Sequence, residues 1–193
     1  MTPIAEVTKL IPRIDANVKR LHNITDGLSD AAFHWRPEAG SWSIAECIAH
    51  LNVVDGGDIE AICGTLSMAQ AEDIRGSKTY NYGYFATKFV TAMRPPIGRK
   101  FKAPKAYLPP ANAPLDATIA TFQRNCTDLR KLVNDAVGLG LAGVKCQLSA
   151  LPAALRPWIK MSLGARFDLL VTHDERHLWQ AEQVRKHPGF PAA

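Results

Sequence analysis

Cysteine is scarce in this chain: 193 residues contain four, Cys47, Cys63, Cys126 and Cys146, with no C-x-x-C pair. A chain of this length needs no covalent staples, so the four read as reduced intracellular thiols and not as a disulfide framework. Long apolar runs are also missing. No segment approaches the ~20 continuous apolar residues that span a bilayer, which argues against a membrane protein. The opening stretch, Met1 to Asp15, lacks the unbroken apolar core of a signal peptide, so a cytoplasmic location is expected. Charge of one sign is not in large excess, with 23 basic against 18 acidic residues and a net charge of +5. Part of that excess sits in one stretch holding Arg99, Lys100, Lys102 and Lys105. No zinc-finger or RNA-recognition pattern accompanies it, so nucleic acid is not an expected partner. Internal repeats, low-complexity segments and strand-like alternation are absent as well.

What is present is an ordinary globular composition, 47% hydrophobic and 21% charged, enough apolar surface to offset chain entropy in one domain spanning residues 1–193. Ile4, Val7, Leu10, Ile11, Ile14, Val18, Leu21 and Ile24 recur at steps of three and four. They predict a first helix over 3–28, opened by Thr2-Pro3 and stopped near Gly27. A short helical turn follows around Leu28–Trp35, then a Pro37/Gly40 break. Ser43 with Glu46 forms a capping-box signature for a second helix running to about Gln70. Gly56-Gly57 inside it weakens it locally or lets another helix approach closely. Residues 80–93 suggest a further short helix. Six prolines between 94 and 114 forbid continuous helix and imply a long crossover. A third long helix is expected from Pro114 to about Ala136, with Leu115, Ile119, Phe122, Cys126, Leu129 and Val133 on one face. Residues 137–157 read as a second irregular crossover, and a fourth long helix as Trp158 to Lys186. The expected architecture is an all-α four-helix bundle with long crossover connections.

Six histidines occur. Two stand in His173-Asp174-Glu175-Arg176-His177, where a spacing of four places both imidazoles on one helix face, one turn apart. That face also carries Ile159, Leu163, Leu170 and Val184, so the pair points into the bundle. Two such imidazoles can chelate one ion, or can be hydrogen-bonded core histidines. His50, at the edge of the apolar face of the second helix beside Cys47, Leu51 and Val54, is a candidate third ligand, because bundles build metal sites from facing helices. His22, His34 and His187 lie in less promising contexts. Three neutral nitrogens suit zinc, nickel, copper or iron.

The stretch Trp35-Arg36-Pro37 followed by Ser41-Trp42-Ser43-Ile44-Ala45-Glu46-Cys47-Ile48-Ala49-His50-Leu51 resembles the DinB-like superfamily. So does the last helix, His173-Asp174-Glu175-Arg176-His177-Leu178-Trp179-Gln180. The family shows a W-s-i-x-e-x-x-x-H-L pattern in the second helix and H-x-x-x-H-x-x-Q in the last, and both stand here in order; the proline-rich middle gives no distinct match. The resemblance implies a four-helix bundle and a histidine triad for nickel, zinc or a similar divalent ion, falling on His50, His173 and His177. It also implies chemistry with a low-molecular-weight thiol, since characterised relatives include bacillithiol- and mycothiol-dependent transferases and an isomerase. Homodimers are common among such relatives.

The leading functional expectation is therefore a metal-dependent transferase taking a low-molecular-weight thiol and a small-molecule electrophile. Arg99, Lys100, Lys102 or Lys105 would bind an acidic group of the thiol if their loop folds over the site. A metal-dependent hydrolase on the same triad is a second reading, with Glu46 as its base unless capping occupies that side chain. A non-catalytic metal-binding or stress-related bundle is a third. Cys47 is either a fourth ligand or a small core residue. Asp174 and Glu175 read as surface charges beside the pair. Trp35, Trp42, Trp158 and Trp179 read as core and bundle-end packing.

Overall fold

The structure, a computed structural model, describes residues 7–76, 83–98, 102–147 and 160–191. Helix α1 spans Leu10–Thr25 and buries Leu10, Ile14, Leu21 and Ile24, the apolar stripe read from the sequence. The expected opening at Thr2-Pro3 lies outside the described residues. Past its end Gly27 adopts φ +68, a left-handed conformation that favours glycine. A single turn, α2 at Asp30–Phe33, is capped by Ser29, whose hydroxyl accepts from the Ala32 amide, and it buries Phe33.

Helix α3 runs Ile44–Ala71 behind a complete capping box. The Ser43 hydroxyl accepts from the Glu46 amide at 3.1 Å, and the Glu46 carboxylate accepts from the Ser43 amide at 2.9 Å. Gly56 and Gly57 sit in this helix without breaking it, and a Cβ on either would meet open space. Close approach of another helix is therefore not their role.

Helix α4, Tyr84–Met93, lies outside the four-helix core; the expected start at residues 80–82 falls outside the described residues. The proline-rich segment holds one 3-10 turn, Lys105–Tyr107, and is otherwise irregular where described. Helix α5, Leu115–Asp135, buries Phe122, Cys126, Leu129 and Val133 as its periodicity predicts.

The second crossover departs from expectation. Lys145–Gln147 (β1) and Lys160–Ser162 (β2) pair antiparallel, with Cys146 opposite Met161. Three-residue strands carry too little alternation to be visible in sequence. The last helix, α6, accordingly spans Leu163–Arg185 and starts later than expected. Ser162 is extended at ψ 145 and its hydroxyl accepts from the Ala165 amide, so strand pairing and N-cap fix the boundary together. Trp158 and Ile159 lie outside the described residues.

Helices α1, α3, α5 and α6 enclose one core that includes Phe33, Ile48, Leu51, Phe122, Leu129, Phe167 and Leu178. Each such side chain contributes about 1.5–3 kcal/mol by leaving water. On the outer side of α6, Val90 of α4 packs with Met161, Ala165 and Leu169. Covered from both sides, the chain is buried at every residue from Met161 to Thr172. Among the described residues no helix is long and apolar enough to cross a membrane.

A candidate metal centre at the His50, His173 and His177 triad

The capping box fixes where α3 begins, and His50 follows in its second turn, on the side that faces α6. There it meets the pair that the helical repeat of α6 stacks one turn apart. Ring centroids are separated by 4.6 Å for His173–His177, 4.6 Å for His50–His177 and 5.2 Å for His50–His173. One ligand nitrogen from each lies within 4.8 Å of the other two. His50 is buried, whereas His173 keeps partial exposure.

Partners on the far side of two rings set their orientation. His50 Nδ1 donates to the Tyr107 carbonyl at 2.6 Å, which leaves Nε2 bare and turned toward the other histidines. His177 Nδ1 is held by Gln180 Oε1 at 3.1 Å. Such outer partners choose the tautomer and aim of metal-binding histidines. His173 Nδ1 is buried without a hydrogen-bond partner. Its Nε2 lies 3.4 Å from His50 Nε2. Two nitrogens each about 2.0–2.1 Å from one tetrahedral ion are separated by about 3.3–3.4 Å. The His50–His173 spacing therefore matches that of two ligands sharing one divalent ion.

Electrostatics favour the same state. Burial lowers the pKa of His50, and burial plus the neighbouring imidazoles holds His173 well below its ordinary range. Burial, His50 and Arg176 push His177 down to about 3. All three are neutral at physiological pH, the form that donates a lone pair. Trp42 closes one side, its ring 4.9 Å from His50 and stacked on His177 at 5.6 Å.

Other residues singled out from sequence fall elsewhere. Cys47 is fully buried in the apolar core, and burial, with Glu46 nearby, pushes its thiol up, so it is a core residue and not a fourth ligand. Glu46 is held by its capping role and by Arg36, whose Nε donates at 2.8 Å. Asp174 is not a surface charge: it is 1% exposed, because the α6 face it occupies packs against the core. Glu175 is half-buried in an ion pair with Arg13 at 2.7 Å. His22 is exposed beside Gln123, His34 binds the Ala113 carbonyl, and His187 packs on Trp35. Lys102 and Lys105 are exposed, and Arg99 and Lys100 lie outside the described residues.

Three features of the site escaped the sequence reading. Tyr107 acts through its carbonyl, which no side-chain pattern reveals. Gln180 stood in the H-x-x-x-H-x-x-Q pattern, and its spacing of three from His177 was the available signal. Trp42 was assigned to packing, yet it packs on the triad itself.

The family model described as the DinB superfamily matches residues 13–181. Neither a curated protein nor a solved structure matches the chain. With that match running from α1 into α6 and taking in all three histidines, the chain belongs to the DinB superfamily.

Proposed function

We propose that the protein is a metal-dependent transferase that joins a low-molecular-weight thiol to a small electrophile at the histidine triad. The observation that carries this reading is the convergence of three neutral imidazoles whose ligand nitrogens lie within 4.8 Å of one another. A divalent ion there, nickel or zinc by the donor set, supplies the positive charge that acidifies a thiol whose pKa is otherwise about 8.5.

The chain's own residues do the rest. His50, His173 and His177 hold the ion, and the Tyr107 carbonyl and Gln180 keep two of them aimed. Trp42 forms an apolar wall that limits water on one side of the triad. The 3-10 turn ending at Tyr107 brings Lys105 to this end of the bundle, where its exposed ammonium can bind an acidic group of the thiol. Hydrolysis on the same triad is less well supported, because Glu46, the nearest acid in the motif, is engaged by Ser43 and Arg36.

The test pairs elemental analysis with turnover. The purified protein is expected to carry about one equivalent of nickel or zinc, lost in a His173→Ala/His177→Ala variant. Loaded protein is then expected to consume thiols with a chlorodinitroaromatic, and His50→Ala to abolish this. Metal without turnover for any thiol tried would leave a non-catalytic metal-binding bundle. No metal after reconstitution would end the reading.

A further inference from the structure

We propose that the outer face of α4, with the basic residues near it in the chain, is a docking surface for an anionic lipid bilayer. The charge distribution is the first observation. Between Asp73 and Asp116 the sequence has no acidic residue and eight lysines and arginines. The rest of the chain holds the other 15 basic side chains against all 18 acidic ones, so this stretch alone makes the protein basic. It also contains all four tyrosines and three of the seven phenylalanines.

The fold turns part of this composition outward. Val90 is buried with Met161, Ala165 and Leu169, and Ala86 and Met93 pack beside it. Residues 86, 90 and 93 share one helix face, so α4 is anchored on that side and its orientation is set. Phe85 and Phe89, one turn apart, are left 86% and 41% exposed, and Tyr84 is 66% exposed. Lys88 is exposed among them, its ammonium 4.7 Å from the centre of the Tyr84 ring. Among the described residues six large hydrophobic side chains are exposed, and four of them, these three and Leu108, lie in this stretch. Arg94, Lys102 and Lys105 are exposed as well, Arg94 even though it lies 3.9 Å from Asp168.

The combination selects its occupant. Phenylalanine rings on a helix surface gain by entering the acyl boundary of a bilayer, while lysines beside them stay at the level of anionic headgroups. Such attachment needs no spanning helix. A second copy of the chain would bring the same positive stretch against itself, which like charges oppose. A single-stranded nucleic acid would need open ring faces for stacking. Here the Tyr84 and Phe85 rings meet edge to face at 5.6 Å, and Lys88 covers Tyr84.

The test is sedimentation with vesicles of phosphatidylcholine and phosphatidylglycerol, against vesicles of phosphatidylcholine alone. The protein is expected to bind the anionic vesicles at least about tenfold more tightly, and to lose most of that preference at about 0.5 M salt. Phe85→Ser/Lys88→Glu is expected to weaken binding at least about tenfold. Both side chains face solvent, so the metal content and thermal melt of this variant should match the parent's. Phe85→Trp reads insertion itself: the emission it adds over the parent should be quenched by lipids brominated in their acyl chains. No preference for anionic vesicles, binding unchanged in Phe85→Ser/Lys88→Glu, or added emission that brominated lipid leaves intact would overturn the proposal. So would tighter binding to a single-stranded oligonucleotide than to the vesicles, or a dimer in solution that the same variant dissociates.

Discussion

Nε2 of His50 and Nε2 of His173 face each other at 3.4 Å across the seam between α3 and α6. The first belongs to a ring whose other nitrogen is committed to the Tyr107 carbonyl. Without an ion, this contact needs a proton on His173 Nε2; with an ion, both lone pairs turn to it. The site is therefore assembled by the fold in advance, and its response to pH follows from the environment of each ring.

Metal affinity is expected to stay nearly constant from pH 8 down to pH 6. A free imidazole with a pKa near 6.5 would already be losing its lone pair to protons there. Here burial lowers all three histidines, and His177 titrates only at about 3. The sign is that of a base with a depressed folded pKa: protons compete for the folded ligands only well below the unfolded value. Zinc titrations against a chromophoric chelator at pH 8, 7, 6 and 5 check this. A loss of affinity setting in at pH 6.5, as for a helical peptide carrying the same pair, would contradict the burial argument.

Gln180→Leu is expected to weaken metal binding about 10–100-fold while leaving stability nearly unchanged. Gln180 Oε1 accepts from His177 Nδ1 and fixes which nitrogen faces the centre. Leucine fills similar space and removes only that acceptor. Competition titration reads the affinity, and a thermal melt of the metal-free protein reads the fold. Unchanged affinity would mean that packing by Trp42 alone aims His177.

How much of this was legible in the sequence varies by element. The α3 boundary was, because Ser43 and Glu46 satisfy each other's backbone partners locally and need nothing distant. The α5 face was legible too, since Phe122, Cys126, Leu129 and Val133 repeat at helical spacing and meet one core. The start of α6 was not: whether Lys160–Ser162 extends depends on a partner strand at Lys145–Gln147. Asp174 was misread because helical spacing places it beside His173 without saying that its side of α6 packs against the core. The triad itself was legible through the pair in one helix and the family pattern, whereas the Tyr107 carbonyl was invisible.

Ser43→Ala is expected to cost about 1 kcal/mol of stability, within a range of about 0.5–2. It removes the hydroxyl that accepts from the Glu46 amide at the first turn of α3. Metal stoichiometry should be unchanged, because His50 sits beyond the frayed turn. Denaturant melts and elemental analysis separate the two effects. Loss of the metal at intact stability would show that the cap positions His50 directly.

The ion pair between Asp58 and Arg166 gives the sharpest stability prediction. The side chains of Arg166 and Asp58 are 4% and 5% exposed, between α3 and α6. Asp58→Ala leaves a guanidinium in the core with its main compensating charge removed, and a loss of about 3–5 kcal/mol is expected. Removing both charges is a different experiment. Asp58→Leu/Arg166→Met replaces a desolvated pair by apolar volume, and it is expected to be near neutral or stabilising. Urea melts of the parent, the single and the double variant measure the coupling directly. If the double variant is as unstable as the single, the charges do more than compensate each other. Their hydrogen bonds would then be holding the register of α3 against α6, and with it the spacing of His50 from the other two histidines.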